Sequence, residues 1–286
     1  MLKNYLIHHM SQDEIPIAIA WAKREGWNPG LHDGECFYRA DPNGFFAGIL
    51  DGKIIALGSA VIYDEHFAFC GFYIVEPAYR GLGFGLALTK ERLAYIGQRN
   101  AGIDGVIPML KKYERLGYTF AYNNARYCGS NLALQSKYST GNDPAITLLS
   151  QIKWEELQAY DRRHFPAPRS DFLSCWINQK SGTSLGYIQN GTLVGYGVIR
   201  RCYEGYKIGP LFADDPTIAD ILFTNLAIHA KGQTIYLDIP ECNVEALNLV
   251  KRYQLKQVFA TARMYLKNEP QVALDQIYGI TSFELG

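Results

Sequence analysis

Apolar positions recur along the chain in two ways: in short runs with a period of two, and in longer stretches with a helical period. This alternation predicts strands and helices in turn, and therefore an α/β fold with a mixed α+β sheet. Residues 5–9 have the pattern of a first strand. Ser11, with Glu14 three residues later, forms the capping box of a helix through about Arg24. Two apolar runs then flank Asp51-Gly52, a dipeptide typical of hairpin turns, which predicts antiparallel strands.

Residues 68–96 contain the three parts of an anion-binding motif: a strand, a turn and a helix. The apolar run from Phe69 to Val75 predicts a buried strand, and Pro77 ends it because proline cannot donate to a sheet. A glycine-rich turn over residues 80–85 follows, and a helical pattern comes after it. The start of a helix leaves its first N–H groups unpaired, and glycines let the backbone approach a ligand closely. The stretch therefore favours binding of a phosphate group.

Three known glycine-rich motifs were compared with this turn. The Walker pattern is excluded because no lysine follows the glycines until Lys90, and the dinucleotide pattern is excluded because Gly81, Gly83 and Gly85 alternate. The remaining pattern, Arg80-x-x-Gly83-x-Gly85, resembles the pyrophosphate loop of the GCN5-related N-acetyltransferases (GNAT). An ordinary glycine-rich turn is the alternative, and the strand before the loop and the helix after it disfavour that alternative.

The resemblance implies that acetyl-CoA is the cofactor and that its diphosphate binds to the backbone amides of the loop. In the family, the central strand faces the thioester and the pantetheine. The residues that the resemblance assigns to cofactor binding are Phe72, Tyr73, Ile74, Val75, Arg80, Gly81, Leu82, Gly83, Phe84 and Gly85.

Catalytic and substrate residues are also implied by the resemblance. Tyr113, four residues before Gly117, matches the family tyrosine that gives a proton to the leaving thiolate, and simple packing beside the cofactor is the alternative. Candidate substrate contacts are Trp27, Asn28 and Asp33; for Trp27, an aromatic plug over the core is the alternative. The general base stays open, with the candidates being Glu76, Asp33, Glu35, Asp41 and Asp238.

The same pattern begins again after a polar, turn-rich stretch at residues 130–144, which predicts a linker. In this second half Asp214 and Asp215 stand where the first half has glycines, and their charge would repel a diphosphate. The chain therefore resembles the tandem GNAT group with a degenerate C-terminal domain. We predict a GNAT domain over 1–129 that binds acetyl-CoA and a GNAT-like domain over 145–286 that lacks the loop. Each is expected to be a central, mostly antiparallel sheet flanked by helices.

Composition adds mainly exclusions. Lys and Arg together number 28, as do Asp and Glu, so a formal net charge of +0 gives no reason to expect a nucleic acid or a membrane as partner. The six cysteines form no C-x-x-C pair and the histidines are dispersed, so we expect neither a metal site nor a disulfide framework. The N-terminus lacks the apolar core of a signal peptide, and a cytoplasmic setting is expected.

The expected function is that of an acetyl-CoA-dependent N-acetyltransferase acting on a primary amine, with direct attack in a ternary complex. The second domain would restrict the size of the acceptor, which favours a small-molecule amine. The alternative is a non-catalytic acyl-CoA-binding sensor or scaffold with the same fold. A longer acyl donor also stays open, and a homodimer is compatible with the sequence.

Overall fold

The computed structural model describes residues 4–134 and 143–286, so residues 135–142 of the predicted linker lie outside the described part. Helices α1 to α8 are Ile15–Arg24, Asp33–Ala40, Phe84–Ile96, Leu110–Arg115, Trp154–Arg162, Ser170–Ile177, Pro216–Ala227 and Val244–Arg252. Strands β1 to β13 are Tyr5–His9, Phe45–Leu50, Lys53–Ile62, Phe67–Val75, Asn100–Val106, Thr119–Gly129, Ile146–Leu148, Gly182–Gln189, Thr192–Arg201, Tyr206–Ala213, Ile235–Pro240, Lys256–Tyr265 and Ile277–Gly279.

The local predictions for the first half are confirmed. The first strand spans Tyr5–His9, and the capping box between Ser11 and Glu14 precedes α1. The hairpin joins β2 to β3 at residues 51 and 52, where both residues have positive φ. The two halves share one mixed sheet with helices packed against it, which confirms the predicted fold class.

The sheet is continuous across the two halves and exchanges strands between them. Its order is β1-β2-β3-β4-β5-β12-β6-β11-β10-β9-β8-β7, with β13 paired to β10 off this path. The last long strand of the second half, β12, thus lies beside β5 of the first half, and β6 of the first half lies beside β11 of the second. Each half therefore completes the sheet of the other. The domain boundary at residues 130–144 stays a prediction from the sequence.

In the first half, β4 and β5 separate along their length. They pair in parallel only from Phe67 with Asn100 to Phe69 with Gly102. Beyond this point β4 keeps its pairing with β3 through a bulge, and Phe72 takes a φ of 48°. Among the described residues no strand pairs with the other edge of β4 from residue 70 onward, so a gap opens between β4 and β5.

In the second half, the equivalent gap is filled by β13. Strands β10 and β11 pair in parallel from Tyr206 with Ile235 to Ile208 with Leu237. Past this point β13 pairs with β10, opposite Leu211 and Phe212. The chain itself therefore occupies the place that is open in the first half.

One apolar core runs through both halves and joins them. The rings of Phe37 on α2 and Trp176 on α6 are stacked with centroids 5.8 Å apart. On the same two helices Cys36 and Cys175 form a disulfide, with Cα atoms 5.2 Å apart and a sequence separation of 139. The expectation that no disulfide forms was wrong for this pair, because only the packing of α2 on α6 brings such distant cysteines together.

Candidate active site

The glycine-rich loop joins β4 to α3 and is tied to the end of α1. Arg80 donates from Nε to the carbonyl oxygen of Val75 at 2.7 Å and from Nη2 to Glu25 Oε1 at 2.8 Å. Arg24 pairs with Glu76 at 2.9 Å. These contacts fix the loop against the helix, so two of the Arg80 nitrogens are committed to shaping it.

The first turn of α3 presents unpaired backbone N–H groups. Gly83 is its N-cap with a φ of 93°, and no side chain of the described residues caps the helix. A Cβ added to Gly83 would meet no atom within 4 Å, whereas one added to Gly85 would lie 2.2 Å from the Tyr73 hydroxyl. The helix end is open beside Gly83 and closely backed by β4 beside Gly85, which suits an anionic group such as a diphosphate.

The equivalent helix of the second half, α7, is closed by its own cap. Asp215 accepts hydrogen bonds from the backbone N–H groups of Thr217 at 2.7 Å and Ile218 at 3.0 Å. The carboxylate thus occupies the position that an anion would take at this helix end. Among the described residues, the helix after the central strand thus has an open N-terminus in the first half and a capped one in the second.

The gap between β4 and β5 is flanked by two tyrosines. Tyr73 belongs to β4, and Tyr113 on α4 packs against β5, where a Cβ added to Gly105 would lie 2.8 Å from its ring. Burial raises the pKa of the Tyr113 phenol, against the opposing effect of Arg92. Tyr113 therefore stays protonated at neutral pH, as a proton donor must.

The central strand turns one backbone edge toward the gap. Ile74 and Val75 pair with β3 through Leu57 and Ala56, which leaves their other edge toward the gap. The Phe72 ring turns away from the gap into the apolar core, 5.5 Å from Phe37 between centroids. The strand thus presents backbone to the gap and anchors itself with side chains.

The three predicted substrate contacts lie at the boundary of the two halves. The Trp27 ring lies 6.4 Å from that of Phe72 and is half-buried. Asn28 is buried and exchanges two hydrogen bonds with the backbone of Glu204, at 2.9 Å and 3.0 Å. Asp33 pairs with Arg200 at 2.8 Å. Asn28 and Asp33 therefore fasten the halves together, and their contact with a substrate stays a prediction.

A cluster of buried charges surrounds this boundary. Arg126 on β6 donates to both carboxylate oxygens of Asp238 on β11, at 2.6 Å and 2.7 Å. It also donates to the carbonyl oxygen of Trp27 at 2.6 Å. Lys207 on β10 is 1% exposed, and its Nζ lies 3.5 Å from the same oxygen. Burial lowers the pKa of Lys207, and the nearby Arg126 lowers it further.

The predicted general bases have other partners in this structure. Glu76 pairs with Arg24 and Glu35 with Arg39, and Asp238 is held by Arg126. Asp33 accepts from Arg200 and from the backbone N–H of Gly30. Asp41 accepts from the Tyr95 hydroxyl and from the backbone N–H of Ile62.

One buried carboxylate was missed by the sequence analysis. Glu284 is 3% exposed, and none of the hydrogen bonds or ion pairs of residues 4–134 and 143–286 involves its carboxylate. It is the one charged residue between Ile277 and Gly286, a stretch that is otherwise apolar or neutral. That single charge was the available signal, but only the fold shows that the stretch reaches the first half.

The open helix end, the gap beside it and the protonated tyrosine form the candidate active site, which lies in one half of a duplicated fold. Comparison with known proteins identifies the family. The model of the acetyltransferase (GNAT) family matches residues 8–118, and that of an acetyltransferase (GNAT) domain matches residues 157–279. A holothin acyltransferase of Pseudoalteromonas sp. (strain SANK 73390) is 30% identical over 96% of this chain and 92% of its own length. The chain belongs to the GNAT family and is an acyltransferase; members of this family take the acyl group from a coenzyme A thioester.

Solved structures show the same fold. A putative acetyltransferase from Pyrococcus horikoshii matches 100% of this chain and 97% of its own with a TM-score of 0.84, at 21% identity. A tandem GNAT protein from the clavulanic acid biosynthesis pathway matches 93% of this chain and 99% of its own with a TM-score of 0.62, at 10% identity. The tandem architecture predicted from the sequence is therefore confirmed.

Two features are absent from the described residues. None of the helices in residues 4–134 and 143–286 is long and apolar enough to cross a membrane. Within the same ranges, no three His, Cys, Asp or Glu side chains are grouped as metal ligands would be.

Proposed function

We propose that this protein is an N-acetyltransferase that moves the acetyl group of acetyl-CoA to a primary amine of a small molecule. The observation that carries the proposal is the uncapped N-terminus of α3 beside the open gap between β4 and β5. The second half supports it by contrast, because Asp215 closes the equivalent helix end and β13 fills the equivalent gap. One site per chain, in the first half, is the consequence.

Each part of the first half has a role in this proposal. The backbone amides of residues 81–85 bind the diphosphate, and the free edge of β4 orients the thioester. Tyr113 gives a proton to the sulfur as the carbon–sulfur bond breaks. The thioester supplies an activated acyl group, so direct attack by the amine needs no covalent enzyme intermediate.

The acceptor is proposed to be small because the two halves meet beside Trp27, on the proposed acceptor side of the site. Trp27 and the buried charges lie where the halves meet, and the Arg126–Asp238 pair bridges them. The relative acylates holothin according to its name, which supports an acceptor that is not a protein tail. The proposed partners are thus a small-molecule amine and, for assembly, a second copy of this chain, in a cytoplasmic setting.

A calorimetric titration with acetyl-CoA tests whether this cofactor binds and whether the glycine-rich loop is its binding site. Gly83→Asp places a carboxylate at the open helix end. We expect the affinity of this variant for acetyl-CoA to be at least tenfold lower than that of the wild type, because like charges repel and the loop conformation is strained. Gly191→Asp is the matched control, because Gly191 has a φ of 79° and equally open surroundings but lies in the hairpin between β8 and β9 of the second half.

Turnover with amines completes the test. Acetyl-CoA with benzylamine, tyramine, putrescine or glucosamine should release free thiol and an acetylated amine. Equal affinity of wild type and Gly83→Asp for acetyl-CoA would show that the cofactor binds at another site. Binding without transfer to any of these amines would favour the sensor alternative over the enzyme.

A further inference from the structure

The last residues of the sequence form a segment, 280–286, that crosses from the second half to the site in the first half. After β13 the segment begins with Ile280, whose N–H donates to the carbonyl oxygen of Asp238 at 2.8 Å. It then reaches β3 and β4, where the Tyr63 hydroxyl donates to the carbonyl oxygen of Leu285 at 2.9 Å. All its residues except Phe283 are buried.

Glu284 meets β4 at the bulge. A Cβ added to Gly71 would lie 2.0 Å from the Glu284 carbonyl oxygen and 3.2 Å from its Cα. Gly71 precedes Phe72, the residue of positive φ, and follows the last paired residues of β4 and β5 by two positions. The segment therefore touches the strand beside the place where the thioester is expected.

The Glu284 carboxylate faces charges on several elements but contacts none of them. Lys207 on β10, Arg126 on β6, Asp33 on α2 and Asp238 on β11 all act on it electrostatically. So does Arg200 on β9, which is itself paired with Asp33. No ion pair within 4.0 Å joins Glu284 to another described residue. A nearly buried carboxylate without a hydrogen bond is uncommon, because such a group is costly to desolvate.

We infer that Glu284 is the general base of the acyl transfer, delivered to the first-half site by the closing segment of the second half. The inference rests on the proposed function. It is carried by the position of Glu284 at the β4 bulge, by its burial without a hydrogen bond, and by the engagement of the other candidate carboxylates in ion pairs or structural hydrogen bonds. It also gives the second half a direct catalytic task.

The proton transfers balance as follows. Glu284 takes a proton from the acceptor ammonium and later releases it to water, which leaves a neutral amine. The nitrogen–carbon bond forms and the carbon–sulfur bond breaks. The sulfur takes a proton from Tyr113, and the proton that leaves the attacking nitrogen restores that phenol.

The environment of Glu284 suits this task. Burial raises its pKa above the ordinary range of a glutamate, against the opposing effect of Lys207 and Arg126. A base is most effective when its pKa approaches the working pH. We therefore expect wild-type kcat to fall as the pH falls through this raised pKa, since protonation removes the base.

The test compares wild type with Glu284→Gln, which keeps the shape of the side chain and removes the base. With acetyl-CoA and the fastest of the four amines named above, we expect kcat at pH 7 to fall about 100-fold or more. The acidic limb of the pH–rate profile should move to higher pH, because in this variant the rate recovers only where the amine loses its proton without help. Affinity for acetyl-CoA and thermal stability are expected to stay close to wild type.

Glu65→Gln is the matched control, because Glu65 is an exposed carboxylate in the turn between β3 and β4 and lies beside His66. Unchanged kcat and pH profile in Glu284→Gln would overturn the inference while leaving the proposed function intact. If that variant does not fold, the wild-type profile decides: a rate that does not fall with pH anywhere above the ordinary glutamate pKa of about 4.3 would also overturn it. Absence of wild-type transfer to every amine would instead refute the proposed function, and the inference with it.

Discussion

At the scale of single residues, Phe72 shows how the fold opens its site. A φ of 48° places a bulky residue in the left-handed region, which costs roughly 1–2 kcal/mol. The buried ring offsets this cost by packing against Phe37 and Phe45, with centroid distances of 5.5 Å and 6.0 Å. The bulge redirects β4 just beyond the last residues that pair with β5. The strained backbone is therefore part of the site.

Tyr113 allows a direct test at the same scale. We expect Tyr113→Phe to lower kcat by about 100-fold, because the ring keeps its packing on Gly105 while the proton for the thiolate is lost. Affinity for acetyl-CoA should change little. Steady-state kinetics over a range of pH, with a separate binding titration, measure both quantities.

The neighbouring Tyr118 serves as the control for this prediction. Its ring centroid lies 6.4 Å from that of Tyr113, and burial raises its pKa well above the usual value. Tyr118→Phe should keep most of the wild-type kcat. A larger loss in Tyr118→Phe than in Tyr113→Phe would assign the proton to Tyr118 instead.

At the scale of elements, β13 and α8 explain why the second half has no gap. Asn243 caps α8 by accepting from the N–H groups of Glu245 at 2.9 Å and Ala246 at 3.2 Å. Its Nδ2 reaches back to the carbonyl oxygens of Asp275 at 3.0 Å and Ile277 at 2.9 Å. One side chain thus starts the helix and holds the strand that fills the gap.

Replacing Asn243 should loosen both elements together. We expect Asn243→Ala to destabilise the protein by about 3 kcal/mol, because the cap is lost and buried carbonyl groups lose their partner. Urea unfolding measures the stability, and amide hydrogen exchange over residues 274–280 should rise. Asn248→Ala, on the exposed face of the same helix, should stay within about 0.5 kcal/mol of wild type. Slow exchange of β13 in Asn243→Ala would show that other contacts hold it.

At the scale of the whole molecule, the halves are joined in ways that a tandem arrangement of separate domains would not need. The exchanged strands β6 and β12 pair with each other and with strands of the opposite half. Three buried ion pairs also link the halves: Arg126–Asp238, Arg200–Asp33 and Arg263–Asp104. Buried ion pairs add little net stability, but breaking one leaves an unpaired charge, so they specify how the halves fit.

This arrangement predicts one cooperative unfolding transition instead of two. Scanning calorimetry should give a single peak whose calorimetric enthalpy equals the van't Hoff enthalpy, since neither half keeps a complete sheet alone. A repeat in reductant removes the Cys36–Cys175 link and leaves the strand exchange to act by itself. Two separated peaks under reducing conditions would show that the disulfide, and not the sheet, couples the halves.

Much of the first half was predictable because its signals are local. The Asp51-Gly52 turn and the Ser11 capping box depend on neighbouring residues, and the structure confirms both. The glycines of the loop were recognisable because an open helix end needs Gly83 at positive φ. The role of Asn28 was not readable in this way, since its partner Glu204 is far away in the sequence.

The sequence by itself determined the order of strands and helices, the duplicated pattern and the one glycine-rich loop, because periodicity and turn chemistry act over a few residues. Only the tertiary structure decided which strands pair across the halves, how Cys36 meets Cys175, and that Glu284 lies against Gly71. The physical reason is that such contacts depend on the packing of whole elements. No local pattern distinguishes a strand that completes its own half from one that completes the other.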